Sequence, residues 1–246
     1  MTRLEAWPLP GVPEVRPGDD LAALLATAAG GALRRGDVLV VAHKVVSKAE
    51  GALVALPDVR PSQRALDLAV ALGKDPRHVQ VVLDESADVV RAERGVLVTR
   101  THHGFVCANA GVDASNAGAP DTLVCLPRDP DASARALRAR LPGRPAVVIG
   151  DSFGRAWRHG QAEVAIGVAG LAPLEDWRGR TDSAGRELRA TWIAVADQAA
   201  GAADLVRGKD SREPAVVVRG LERHVTEEDG PGAAALVRPV DEDLFG

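Results

Sequence analysis

The sequence predicts a mixed α/β or α+β protein, with mixed sheets and flanking helices, and three observations carry that class. Short continuous apolar runs, VLVV (38–41), AVVI (146–149) and AVVV (215–218), read as strands buried on both faces. Stretches with helical spacing and clear start signals lie between some of them, whereas other strands follow one another directly. Without strict β-α-β alternation a doubly wound Rossmann sheet is not expected, and without a Walker A pattern a P-loop is excluded.

Asp19 or Asp20 caps a helix through LAALLATAAGGAL, in which Leu21, Leu24 and Leu25 share a face before glycines end it. Gly36-Asp37 introduces the VLVV strand, and HKVVSK follows it. Lys44 and Lys48, four apart, share a face whether that run is extended or helical. Pro61-Ser62 opens the helix QRALDLAVAL, and Val79, Val82, Leu83 and Val90 keep helical spacing through HVQVVLDESADVV. GVLVTR and GFVCA read as two strands joined at the Thr101-His102-His103-Gly104 turn, with TLVCL as another. Asp129 or Asp131 starts the helix DASARALRARL. PAVVIGDSFGR is a buried strand ending on a carboxylate, EVAIGVAG its neighbour, ATWIAVADQAAGAADLV one long helix, and PAVVVRGL a late strand. Residues 222–232, ERHVTEEDGPG, are the segment expected to be most mobile. The whole, residues 1–246, reads as one module or two interlocked subdomains, since 246 residues with 46% hydrophobic content bury a core of either kind.

Thirty basic against 34 acidic residues leave a net charge of -4, too mild and too evenly mixed for a nucleic-acid or membrane-surface footprint. Cys107 and Cys125 sit in apolar settings without metal-knuckle spacing and read as buried free thiols. His43, His102, His103 and His159 have no zinc-ligand spacing. No basic-then-apolar N-terminal signal and no bilayer-length apolar run is present, which reads as a cytoplasmic protein.

Two Gly-rich polar stretches carry the candidate chemistry. Asp113 lies within HHGFVCANAGVDASNAG, and Asp151 with Ser152 follows AVVIG. Two carboxylates and a hydroxyl are the hard oxygen ligands that Mg²⁺ or Mn²⁺ prefers, although either Asp alone is commonly a turn former or cap. Arg155, Arg158 and Gln161 suit carboxylate or phosphate oxygens, which guanidinium groups grip bidentately. Lys44 and Lys48 beyond the buried strand fit a polyphosphate, or are simply solvated.

In order, LPGVPEVRPGDDLA, GDVLVVAHKVVSKAEG, HHGFVCANAGVDASNAG, DSFGRAWRHGQAEVAIGVAG and ADLVRGKDSREPAVVVRGL resemble the coenzyme F420-0:L-glutamate ligase family over nearly the whole chain. The resemblance implies a GTP-dependent γ-glutamyl ligase that adds L-glutamate to F420-0 or dehydro-F420-0 through an acyl phosphate, in an intertwined homodimer. A C-terminal nitroreductase-like domain, fused to a similar module in some relatives, is not expected. It implies Mg²⁺ or Mn²⁺, with K⁺ as a further candidate, on Asp113, Asp151 and Ser152. Nucleotide contacts are implied for Leu9, Pro10, Gly11 and Val12, for His43, Lys44 and Lys48, for Asn116, and for Gly208 and Lys209 in a closing LVRGKDSR segment. Asp113 and Asp151 are then catalytic, and the chemistry of guanidinium groups, rather than the resemblance, adds Arg155 or Arg158 for the glutamate carboxylates. His43 and Lys209 stand where a small hydroxyl residue and an oxygen ligand are expected, and Ala156 where a proline is. The competing readings are a ligase for another small acid and a non-catalytic nucleotide-binding relative.

Overall fold

A computed structural model describes residues 3–243. Strand β1 (Glu5–Pro8) is followed by α1 (Leu21–Ala29), β2 (Val38–Ala42) and α2 (His43–Ala49). Then come β3 (Leu53–Ala55), α3 (Gln63–Leu72), α4 (Pro76–Asp84), β4 (Ser86–Glu93), β5 (Val96–Thr101), β6 (Val106–Ala108) and β7 (Thr122–Val124). The chain continues through α5 (Pro130–Arg140), β8 (Ala146–Arg155), β9 (Arg158–Ala169), β10 (Leu174–Asp176), β11 (Trp192–Ala194), α6 (Val195–Asp204) and β12 (Ala215–Arg219). The architecture is the mixed α/β one the sequence predicts, without a closed barrel.

The principal sheet runs β1-β12-β2-β8-β9, and only the β2–β8 pair is parallel. Alternation along its strands explains why the central ones read as continuous apolar runs. Leu39, Val41, Val147, Ile149, Ala215 and Val217 face a layer containing Leu21, Leu25 and Leu137 of α1 and α5. Val38, Val40, Val148, Val216 and Val218 face Ala196, Ala199 and Ala203 of α6 on the other side. A separate core gathers α3, α4 and the β3-β7 and β4-β5-β6 sheets around Leu72, Val79, Val82, Leu97 and Leu123.

Local chemistry sets the boundaries. Asp20 caps α1 by accepting from Ala23 N, and Gly30 ends it in the left-handed region at φ 55°. Asp129 caps α5. Asp131 instead accepts from the backbone N–H of Val168 and of Ala233, tying α5 to β9 and to the C-terminal stretch.

Four readings change. Val90 is not helical: α4 stops at Asp84, Ser86 Oγ donates back to Val82 O, and β4 pairs antiparallel with β5. The long helix begins only at Val195, because Trp192–Ala194 is claimed by pairing with Leu174–Asp176. Asp151 does not end its strand. β8 runs on through Arg155 and turns directly into β9, so both carboxylate and arginines lie on one hairpin. The stretch 222–232 is held, not loose: buried Arg138 donates to Thr226 O, Glu227 O and Asp229 Oδ1, the last at 2.6 Å, and Val225 bridges Leu171.

Cys107 and Cys125 are free and buried, and burial pushes both thiols up to about 12. Replacing Arg138 by Met would strand two carbonyls and a carboxylate. The expected loss is about 2–3 kcal/mol, below the value for a fully buried pair because Asp229 can rehydrate. Urea unfolding checks this through a lowered midpoint at unchanged slope, and an unshifted midpoint would refute the clamp.

Candidate active site

The central strand β2 ends at Ala42 and the chain turns at once into α2, so two consecutive side chains leave the sheet edge in different directions. His43, 2% exposed, places Nε2 at 3.3 Å from Asp151 Oδ1 on the neighbouring parallel strand. The pair does not form a hydrogen bond, and this buried ring nitrogen has no hydrogen-bond partner among the described residues. Its Nδ1 lies 3.4 Å from Ser47 Oγ. Lys44 reaches the other carboxylate, its ammonium donating to Asp113 Oδ2 at 2.5 Å and to Ser115 Oγ at 2.7 Å. The first turn of α2 thereby touches both polar stretches that the sequence singles out.

Asp113 is presented by unusual backbone. Asn109 and Ala110 both adopt φ 53° and Gly111 follows at φ 72°, one left-handed turn closed by Val112 N donating to Asn109 O. L residues disfavour this region by roughly 1–2 kcal/mol each. At Gly111 a Cβ would also stand 2.7 Å from Leu126 Cδ2, so only glycine fits there. The turn delivers Asp113 into a two-way backbone bridge with Val124, which fixes the base of its side chain. Burial raises its carboxyl, but the Lys44 ammonium and the N–H and hydroxyl of Ser115 outweigh that and hold it below the usual carboxylate range. A depressed folded-state value means the pairing favours the folded chain above the range where the unfolded carboxyl titrates. That contribution disappears as pH falls through the lower, folded value.

Asp151 and Ser152 sit mid-hairpin, where Ser152 pairs across with Glu163. Glu163, 3% exposed, accepts from Ser152 Oγ at 2.9 Å with one oxygen and from Arg207 at 2.5 Å with the other. It lies across Gly150, where a Cβ would stand 2.6 Å from Glu163 Oε1. Lys209 Nζ donates to the same Ser152 hydroxyl at 2.5 Å and stands 3.6 Å from Asp204. Asp151 Oδ1 accepts from Ser152 N, leaving Oδ2 without a protein donor among the described residues.

The turn at Pro10-Gly11 projects from the sheet edge, with Leu9 buried and Gly11 at φ 81°. Glu14 just beyond it holds Lys48 at 2.5 Å and lies against Gly118, where a Cβ would stand 3.4 Å from its Oε1. Leu9 to Val12, Lys48 and the loop bearing exposed Asn116 (φ 56°) therefore border one region. Gly208 and Lys209 lie instead beside Ser152, where Lys209 Nζ reaches the hydroxyl. Arg155 and Arg158 are not brought to the carboxylates. They pair with each other at the hairpin tip, about 13 Å along the strand from Asp151 at ~3.3 Å per residue, and Arg155 is folded back onto His159 O.

No group of three or more His, Cys, Asp or Glu converges on a metal-sized space among the described residues. By donor type each carboxylate is one a hard cation accepts: Asp151 offers an oxygen without a protein donor among the described residues, and Asp113 already grips a positive charge. Ser115, Glu163, Asp204, Arg207 and Glu14 are site neighbours that sequence reasoning missed. Only Glu163 carried a signal, as a lone acid heading an otherwise apolar strand.

The model of the F420-0:Gamma-glutamyl ligase family matches residues 11–220. A Coenzyme F420:L-glutamate ligase from Methanopyrus kandleri is 48% identical, over 98% of this chain and 97% of that protein. Proteins of the same name from Methanothermobacter thermautotrophicus and Halobacterium salinarum are 45% and 44% identical, covering 96% and 98% of this chain and 96% and 95% of their own. Matches of this extent place all the site elements described above, from the Pro10-Gly11 turn to the loop after α6, inside the shared region. The chain is a ligase that forms carbon–nitrogen bonds and belongs to the F420-0:gamma-glutamyl ligase family.

Proposed function

We propose that this protein joins the amine of L-glutamate to the carboxylate of the coenzyme F420 precursor, F420-0 or its dehydro form, at the expense of GTP. The observation that carries the reading beyond the family is the gathering of Asp113, Asp151, Lys44, Lys48 and Lys209 around the end of β2 and α2. Amide formation in water needs an activated carboxylate. An oxygen of the precursor carboxylate attacks the γ-phosphorus and GDP leaves. The glutamate amine then attacks the acyl carbon of the resulting acyl phosphate, inorganic phosphate departs, and the amine sheds a proton to solvent. Both steps ask chiefly for alignment and charge neutralisation.

Each residue has a role in this scheme. Asp113 and Asp151 would hold Mg²⁺ or Mn²⁺, which supplies positive charge at the β- and γ-phosphates when bound. Lys44, released from Asp113, and Lys48, released from Glu14, offset the remaining phosphate charge, and Lys209 closes from the far side. Residues Leu9 to Val12 and Asn116 border the nucleotide, His43 packs beneath Asp151, and the small residues of GVDASNAG let backbone N–H groups approach closely. Arg155 or Arg158 takes the glutamate carboxylates from the hairpin tip, where both guanidinium groups stand on open surface. The protein acts as a homodimer, for which exposed Val90, Val96 and Val106 on the β4-β5-β6 sheet offer apolar area.

Three measurements test the reading. Purified protein with glutamate and F420-0 should yield the glutamylated product by mass spectrometry far faster with GTP than with ATP, and equal rates would refute the nucleotide assignment. Light scattering should give twice the chain mass of 25.7 kDa, and a monomer mass would refute the assembly. Asp113→Asn and Asp151→Asn should each lower turnover by roughly 10²- to 10³-fold, with partial rescue by excess Mn²⁺. Melting should barely change, since a partly exposed ion pair such as Lys44–Asp113 contributes only about 0–1 kcal/mol. Near-normal turnover with lowered melting would instead make both residues turn formers.

A further inference from the structure

Ser152 does not have the surroundings of a simple metal ligand. A hydroxyl has one proton to donate and two lone pairs to offer. Here the proton is committed to Glu163 Oε2 at 2.9 Å, and one lone pair faces the Lys209 ammonium at 2.5 Å. The commitment is firm from behind, because Glu163 is buried and its second oxygen is fixed by Arg207, itself only 9% exposed in its side chain. From the front the hydroxyl is covered by a charge that belongs to the chain. Lys209 also stands 3.6 Å from Asp204 Oδ1, so its ammonium rests between a hydroxyl and a carboxylate, two hard oxygens of the kind a divalent cation would use. Its side chain is 70% exposed, so the ammonium is open to a polyphosphate from solution.

We propose that Lys209 is a tethered cation: its ammonium occupies, at Ser152 and Asp204, the place where a second divalent ion would otherwise sit against the nucleotide. The chain then holds one divalent ion, the one assigned above to Asp113 and Asp151, for each nucleotide bound. An ammonium and a divalent ion cannot share the Ser152 hydroxyl, since like charges a few ångströms apart repel strongly even where water screens them in part. A two-ion site elsewhere clamps phosphate oxygens from both sides. In this chain one side of that clamp is covalently attached to the segment that follows α6, and its charge arrives without a binding equilibrium of its own. Arg207 anchors the same segment to Glu163, so the tether has a fixed root two residues from its head.

This inference rests on the nucleotide- and metal-dependent reading above, and the test separates the two. Mn²⁺ titrations followed by EPR, with a saturating non-hydrolysable GTP analogue and a nucleotide-only control, count ions per chain. The wild type and Lys209→Arg should bind one ion, and Lys209→Glu, which supplies a carboxylate where the ammonium stood, should bind two. In chelator without metal, Lys209→Gln should weaken binding of the analogue at least tenfold, a loss that an uninvolved surface lysine would not produce. Two ions in the wild type, one in Lys209→Glu, or unchanged affinity in Lys209→Gln overturns the tethered cation alone. No bound ion in any variant removes the metal from the functional reading and this inference with it. Lys209 is exposed, so each variant should keep the wild-type melting temperature, which thermal unfolding checks.

Discussion

Burial of β2 on both faces is the constraint from which the rest of the site follows. Val38 to Val41 leave no side of the strand for a polar residue, and its two neighbours in the sheet hold both edges. The first polar side chains can appear only where the strand ends, and α2 starts there without an intervening loop. His43 and Lys44 are therefore rigidly placed by the sheet, one toward the parallel neighbour β8 and the other toward the Asp113 loop. Precision at this point costs the chain no long ordered loop, which is why so short a helix can organise two distant segments.

The second organising element is the β8–β9 hairpin, which is apolar where it belongs to the sheet and polar where it leaves it. Cross-strand pairing converts sequence distance into proximity: Ser152 and Glu163 lie opposite each other because the chain reverses at Ala156-Trp157. The ion pair between Glu163 and Arg207 then brings in the segment after α6, itself fixed by packing of alanines on the far face of the sheet. Charges from β9 and from the segment after α6 meet at one hydroxyl, the first through backbone pairing and the second through that ion pair.

Much of this was legible in the residues. The apolar runs at 38–41, 146–149 and 215–218 identify the central strands, because continuous β-branched residues bounded by Gly and Pro have few other uses. Asp113, Asp151 and Lys44 were each recognisable as chemistry outside the core, whereas Lys209 entered only through the family resemblance. What the pattern could not supply was partnership. Val90 keeps helical spacing yet lies in a strand, because pairing with β5 overrides a local period. Ile193 is drawn into a strand by residues nearly twenty positions earlier for the same reason. Arg207 and Asp204 became visible only once the end of α6 was known, and the lone acid Glu163 acquired its partners only with the hairpin register. The stretch from 222 to 232 looked loose by composition, but its backbone is gripped by an arginine eighty-odd residues away that no local rule connects to it.

The lysine on Asp113 has a bearing on how the protein is made. A pocket that gathers carboxylates for a cation ordinarily repels itself until that cation arrives, and such proteins tie their folding yield to metal supply. Here the ammonium that neutralises Asp113 is part of the chain, carried by the first turn of α2. The loop that bears this carboxylate can settle against the sheet without borrowing positive charge from solution. The amount of folded protein is then set by the chain itself and is insensitive to the supply of free cations.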